Sequence, residues 1–535
     1  MSGLPRVKAE GWMYSPTPVY ATCRRTTRHT PTEQPEDYEK EPDESMPAEN
    51  TEVFDYRIST SGNLSDIFRI FTDDVDTSNE VLIRKVSQGN GESEKIVATD
   101  GSCTNNGQED AIVGAGVFYG HGDATNQSIR LPEQVGDTKI IQSNQTAELV
   151  AAMEATEPIA KTIQITLETD SKYVISHLTK SLRKMEDTGY INVNNAEIIR
   201  AMIARYRLRE APIHVKWVKG HNGHEGNEEA DALVGRATTK VTEDQLVLDV
   251  PPKLRITGAK LKMLTQKLAY MAIRQRKSAA MPDRPRTRNV ITQVKEQAQT
   301  LFDISPTDSV IWTSIRSKDL ERKTRYFLWM IANNAYMTGT QWQRTGYTEE
   351  AKERAVCQHD RKIEDIAHIL SGCESPGQEL IWDLTGELWE KKGSSLQWER
   401  PALGTIVGAR LAVLKTPGGA RKTGEERLWR ILIAESAYLI WKMRCERVIQ
   451  KDNVPFTTRE IENRWLHMID ERIQLDRCMT NQKYGNKGIS PNLVRATWQG
   501  LLKREHTLPD DWVTNTGVLV GIESDLRRRT GPRGR

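Results

Sequence analysis

A chain of 535 residues, 37% of them hydrophobic, has room for two to four domains and enough apolar material for at least one sizeable core. Lysine and arginine number 75 against 73 aspartates and glutamates, so any hold on nucleic acid must come from local basic patches, not from a field over the whole molecule. Six widely spaced cysteines exclude a disulfide scaffold and point to a reducing intracellular compartment, nucleus or cytoplasm; no secretory leader or membrane span is expected.

Residues 1–92 are rich in Pro, Thr, Glu and Asp ("TPTEQPEDYEKEPDESMPAEN"), a composition that buries too little apolar surface to offset chain entropy, and they are expected to be largely disordered. Within them, the patch from "VFDYRI" to "IFRIFTDDV" has the alternation of a strand or docking element. Between 93 and 240 the pattern changes. "KIVATDGSC", "DAIVGAGVFYG" and "QSIRLP" read as strands of an antiparallel meander split by Gly and Asn turns. The helix "NQTAELVAAMEATE" follows, then the strand "TIQITLETD", the helices "SKYVISHLTKSL" and "NAEIIRAMIARYRLR", the strand "PIHVKWV" and the helix "NEEADALVGRAT". Strands interleaved with helices after a meander predict a mixed α/β layer architecture.

Asp100 and Asp170 each end an apolar run, Glu148 borders the apolar stripe of its helix, and Asp231 is flanked by Ala230, Ala232 and Leu233. Singly, each is an ordinary turn or surface acid. Gathered at one sheet edge, the four repel one another and shift each other's pKa values unless cations neutralise them. Carboxylate oxygens suit Mg²⁺ or Mn²⁺, and a pair of such ions activates water on one side and stabilises a leaving oxygen on the other.

The segments "TDGSCTNNG", "NQTAEL", "TDSKYV" and "WVKGHNGHEGNEEADAL" resemble, in order and separation, the four signature blocks of type 1 ribonuclease H. That resemblance implies an RNase H-like mixed five-stranded sheet flanked by helices. It also implies a two-metal endoribonuclease acting on the RNA strand of RNA–DNA hybrids. Asp100, Glu148, Asp170 and Asp231 match the metal-binding carboxylates, and His221 matches a mobile histidine that assists proton movement or product release. His221 lies among glycines and acids, which suits a proton shuttle near neutral pH. His224 reads as a capping residue. Asn106, Asn144 and Gln145 match minor-groove readers, with Cys103 and Ser143 as neighbours, and Asn195 matches a residue that holds a DNA phosphate.

Three departures weaken the expected grip on a hybrid. Ile141 stands where many relatives have arginine, "LRKMEDTGYINVNNAEI" is shorter and less basic than the projection of the bacterial enzymes, and no hybrid-gripping module is visible in 1–92. "RYRLR" at 205–209 and a basic helical linker at 241–300, with Leu261, Leu264, Leu268 and Met271 as its stripe, are candidate substitutes.

Residues 301–485 are expected to be helical, their tryptophans packing a core, and 486–535 to form a basic tail ending "RRRTGPRGR". Within "CQHDRKIEDIAHILSGC", Cys357, His359, His368 and Cys373 offer ligands for Zn²⁺. This segment is similar to the zinc-binding segment that follows ribonuclease H in non-LTR retroelement reverse transcriptases of fungal type, whose second cysteine is Asp360 here. The acid order Asp, Glu, Asp, Asp disfavours an integrase or transposase, whose glutamate comes last. A retroelement-derived nucleic-acid-binding or structural protein with a silent nuclease stays open as the alternative.

Overall fold

The computed structural model describes residues 51–58, 62–73, 93–220, 223–515 and 517–522. The main sheet among them contains β1 (Thr51–Val53), β2 (Glu94–Thr104), β3 (Ile112–Phe118), β4 (Gln127–Arg130), β5 (Gln164–Thr169) and β6 (Ile213–Trp217). Their spatial order is β1-β6-β5-β2-β3-β4. β2, β3 and β4 are antiparallel neighbours, as the Gly and Asn turns between them allow. β2, β5 and β6 run parallel, and the crossovers are helical: α1 (Asn144–Glu154) leads to β5, while α2 (Lys172–Leu178) and α3 (Ala196–Arg207) lead to β6. The helix α4 (Glu225–Thr239) follows β6.

Helices cover both faces, which is why the inner strands read as nearly continuous apolar runs. Val97, Val113, Ala115, Ile165, Leu167 and Val215 pack beneath α1 and α3. Ala98 and Phe118 meet Ala230 and Leu233 of α4 on the other face. The expected five strands gain a sixth from the N-terminal patch. β1 pairs antiparallel with β6, and Phe54, Tyr56 and Ile58 beyond it are buried, with Phe54 edge-on to Tyr206 at 5.4 Å. These residues belong to the fold, so the expectation of disorder over 1–92 does not hold for them; the rest of that expectation lies mostly outside the described residues.

The expected stripe in the linker does not form one helix face. Ala259–Lys260 pairs with Arg69–Ile70, and the helix α5 (Gln266–Ala280) starts only after Leu261 and Leu264, both partly exposed. The helix α6 (Pro285–Phe302) instead gives Val290, Ile291, Val294 and Ala298 to the helical region's core. That region contains α7 (Arg322–Ala332), α8 (Pro376–Lys392), α9 (Thr423–Gln450), α10 (Thr458–Cys478) and α11 (Pro491–Trp498). Trp382, Trp389, Trp429, Trp465 and Trp498 are buried there, as helical spacing predicts, and the Trp465 indole donates to Thr385 Oγ1 and Ser436 Oγ. The body runs past 485: Trp498, Leu501, Leu502, Trp512 and Ile522 are buried, so 486–522 is not a tail, and "RRRTGPRGR" lies outside the described residues. No helix among the described residues is long and apolar enough to cross a membrane.

Candidate active site

The parallel register brings the first two acids together. β2 and β5 pair through Thr99 and Thr169, so the next residue on each, Asp100 and Asp170, leaves the pair at the same level. β2 does not stop at Asp100; it continues to Thr104 in antiparallel pairing with β3, and Asp100 is only 9% exposed. The Gly101 amide donates to Asp100 Oδ1 at 2.8 Å. At Asp170 the chain leaves β5 for α2. Its carbonyl accepts from the Trp217 indole at 3.1 Å, and Ser171 next to it caps α2 by accepting from the Val174 amide.

Glu148 arrives from α1, whose first turn is capped by the Ser143 hydroxyl accepting from the Thr146 amide. A Cβ on Gly101 would lie 2.3 Å from the Glu148 amide nitrogen, so only glycine lets α1 approach β2 this closely. Glycine serves a second time at Gly220, where a Cβ would lie 2.1 Å from Asp170 Oδ2.

One carboxylate oxygen from each of Asp100, Glu148 and Asp170 lies within 4.8 Å of the others. Glu148 Oε2 is buried with no hydrogen-bond partner. Burial first, then the charges of Asp100 and Asp170, push the Glu148 carboxyl well above the ordinary carboxylate range. Three crowded carboxylates with an orphaned buried oxygen are what a divalent cation site requires, and an all-oxygen donor set suits Mg²⁺ or Mn²⁺.

Asp231 does not join the three. It is exposed on α4, immediately after buried Ala230, whose carbonyl crowds Gly116 of β3. A fourth carboxylate brought against three others adds repulsion, whereas at this exposed position it keeps its hydration. His221 lies outside the described residues. His224 caps α4, its Nδ1 accepting from the Asn227 amide, and its Nε2 stands 3.4 Å from Glu168 Oε2.

The amide side chains take two kinds of place. Asn106 is exposed in the turn after β2, and Asn144 and Gln145 are exposed on the first turn of α1. Asn195 is half-buried in a left-handed conformation, φ 56°, and its Oδ1 accepts from Thr146 Oγ1, which ties the start of α3 to the start of α1. Ser143 serves as the α1 cap, Cys103 is a half-buried free thiol on β2, and Ile141 is exposed. The Asn106 turn is also held from outside the sheet: the Thr307 amide donates to the Gly107 carbonyl, and the Glu109 amide to that of Ser305. "RYRLR" is not a phosphate surface. Arg207 is buried against Glu186, Arg209 donates to four backbone carbonyls, and Arg205 pairs with Glu154.

A second cluster forms at 357–373. Cys357, Asp360, His368 and Cys373 each bring one ligand atom within 4.8 Å of the rest, whereas His359 is exposed. The Cys357 amide donates to the Lys362 carbonyl at 2.8 Å and Arg361 takes φ 60°, a tight turn that points Asp360 inward in place of the expected His359. His368 and Cys373 lie on one wide helical turn, closed by the Cys373 amide on the His368 carbonyl at 2.7 Å. The sulfurs are 3.8 Å apart, too far for a disulfide. Tetrahedral zinc with Zn–S bonds of about 2.3 Å sets its sulfurs about 3.8 Å apart. Asp360 Oδ2 and His368 Nε2 are buried without hydrogen-bond partners. This donor set therefore fits zinc.

The family model for RNase H matches residues 92–239. Ribonuclease H of Zymomonas mobilis is 32% identical over 158 residues, 28% of this chain and 92% of that protein. This chain belongs to the ribonuclease H family. Ribonuclease H of Alcanivorax borkumensis is 31% identical over 28% of this chain and 95% of its own length. Human ribonuclease H1 is 37% identical over 156 residues, 28% of this chain and 51% of that protein. The chain thus spans about half the length of the human relative, and the ribonuclease H match covers the sheet domain but not the helical region.

Proposed function

We propose that this chain hydrolyses the RNA strand of RNA–DNA hybrids with two divalent ions, Mg²⁺ or Mn²⁺. The observation that carries this reading is the convergence of Asp100, Glu148 and Asp170, with one Glu148 oxygen left unpartnered in a buried position. Asp100 and Asp170 would hold the ions from the strand ends and Glu148 from α1, while Asp231, apart from the three on α4, would join them only once a cation offsets the added repulsion. Bound there, the ions would activate water and stabilise the leaving oxygen. The chain's own residues supply the positioning: the register through Thr99 and Thr169 fixes two acids, and the Gly101 contact fixes the third. Exposed Asn106, Asn144 and Gln145 suit the reading of 2′-hydroxyls, which donate and accept as amides do. Cleavage of a labelled hybrid by the full chain, with and without Mg²⁺, tests this. Wild type is expected to cleave only with the ion, and Asp170→Asn to lose at least 1,000-fold (~4 kcal/mol); equal, metal-independent signals from both would reject it.

We further propose that Cys357, Asp360, His368 and Cys373 hold one structural Zn²⁺, and that the region around them shares a retroelement origin with the zinc-binding segment it resembles. The 3.8 Å sulfur separation and two buried polar atoms without hydrogen bonds support the metal site. Metal analysis of the purified full chain should give one zinc per molecule, lost in Cys373→Ser and kept in His359→Ala. Zero zinc in wild type removes the site.

A further inference from the structure

The helices α7 and α9 pack side by side, joined by the Thr324 hydroxyl donating to Glu435 Oε2 at 2.9 Å and by Phe327 against Tyr438 at 5.3 Å. Beside this seam lies a cleft of about 780 Å³. Arg322, Lys323 and Tyr326 line it from α7, and Tyr438, Trp441 and Lys442 from α9. On each helix these positions fall three or four residues apart, so each helix turns one aromatic-and-basic face into the cleft.

The aromatic rings there are not all core. Tyr326 is 59% exposed and Trp329 next to it 48%, their rings nearly parallel at 22° with centroids 6.2 Å apart. Trp441 lies against Tyr336 at 4.2 Å and remains partly accessible. Beyond their contact with each other, the Tyr326 and Trp329 rings face solvent. Charge supplies the second half of the pattern. Arg322, Lys323 and Lys442 make no ion pair among the described residues, and Lys442 sits over the Tyr438 ring at 5.1 Å. Of the acids here, Glu446 also lines the cleft but is held by the two terminal guanidinium nitrogens of Arg464, and Glu435 is buried on Thr324; only Glu321 is exposed. The cleft therefore has a cationic rim and an aromatic wall.

A duplex keeps its bases stacked on one another and offers this wall nothing but phosphates. An apolar protein segment gains little from three unpaired cations. A single strand satisfies both halves, since its unstacked bases need aromatic faces and its phosphates need cations. We propose that this cleft and the ring surface beside it bind single-stranded nucleic acid, with bases stacking on Tyr326 and Trp441 and, just outside the cleft, on Trp329, and phosphates paired with Arg322, Lys323 and Lys442. The site lies in the helical region, outside the ribonuclease H match, and gives the chain a second hold on nucleic acid.

Fluorescence anisotropy of the full chain with a labelled oligo(dT) 15-mer, without Mg²⁺, tests the proposal; the probe contains no RNA to cleave. Stacking predicts that Tyr326→Ala/Trp329→Ala weakens binding roughly 5- to 100-fold for each base that loses its platform. Tyr326→Phe keeps the π-face and should bind as wild type does. The charge variant Arg322→Gln/Lys323→Gln/Lys442→Gln should flatten the slope of log affinity against log salt by about 2, since each phosphate contact on a single strand contributes about 0.7. All three variants should cleave a short blunt hybrid at the wild-type rate, which separates loss of the cleft from loss of the fold. Failure of wild type to bind oligo(dT), or equal affinity and salt slope in wild type and variants, overturns the proposal.

Discussion

Alanine at position 101 demands space that α1 already fills. The added methyl would lie 2.3 Å from the Glu148 amide nitrogen, 2.5 Å from the Ala147 carbonyl carbon and 2.6 Å from Ala147 Cβ. Two of these atoms are backbone within a capped helix, so no rotamer change relieves the clash. Ordinary contact begins at 3.4 Å, so α1 must withdraw from β2 by about 1.1 Å, the difference between 3.4 and 2.3 Å. Overpacking of this kind costs about 1–3 kcal/mol of stability. Displacing Glu148 by about 1 Å relative to Asp100 and Asp170 is expected to cost about 100-fold in rate. The assay is the initial rate on a labelled hybrid at saturating Mg²⁺, paired with thermal unfolding followed by circular dichroism. Gly235→Ala is the control, because Gly235 lies on exposed helix with nothing within 4 Å of where a Cβ would sit; it should keep full activity and gain a few tenths of a kcal/mol, up to about 1. Should Gly101→Ala retain its melting temperature and a kcat within twofold of wild type, the close approach of α1 does not position Glu148 and the reasoning fails.

Glu148→Gln is expected to raise the melting temperature of the Mg²⁺-free protein at pH 8 and leave it unchanged at pH 4. The folded-state pKa of Glu148 is raised, by burial first and then by Asp100 and Asp170, so protonation favours the fold and that contribution is lost as pH climbs above the unfolded value; glutamine removes the loss. A lower melting temperature for Glu148→Gln at pH 8 would contradict this. In the helical region, Asp476 takes two hydrogen bonds from Arg427 and one each from Arg472 and the Trp498 indole, all between 2.6 and 2.8 Å. Asp476→Ala leaves buried Arg472 without its ion pair and Arg427 with Asp319 alone, and should cost about 3–5 kcal/mol in urea unfolding at pH 7. Burial raises the Asp476 carboxyl, but Arg427 and Arg472 outweigh it and hold the folded pKa below the ordinary value. The stabilisation is therefore present above about pH 4 and lost as pH falls through the lower folded pKa, so the gap between variant and wild type should close in acid; a constant gap would refute the assignment.

What could be read from the sequence follows from whether the cause is local. Asp100 and Asp170 were legible because each interrupts an apolar strand pattern, and Glu148 because it borders the stripe of a strongly periodic helix. Their meeting was not, since it depends on a parallel register between Thr99 and Thr169, residues 70 positions apart. Gly101 looked like a turn glycine after a strand end; β2 in fact runs on to Thr104, and the glycine answers to a helix more than 40 residues away. The second cluster fails by a single residue for the same reason. Composition favours His359 over Asp360 as a zinc ligand, but the left-handed Arg361 and the Cys357 to Lys362 hydrogen bond decide which of the two turns inward.

Tryptophan shows how far a local pattern reaches. Helical spacing correctly assigns Trp382, Trp389, Trp429, Trp465 and Trp498 to the core, yet the same spacing in "RYFLWM" holds Phe327 and Leu328 inside while leaving Tyr326 and Trp329 out. Periodicity says that one stripe of α7 is buried; it does not say that the stripe beside it also carries rings. An aromatic on the solvent side of an amphipathic helix has no folding role to explain it, because its burial is what would stabilise the fold. Its neighbours then decide its use. Around Tyr326 they are Arg322 and Lys323, unpaired cations rather than further apolar residues, and that company favours a ligand that is both flat and anionic.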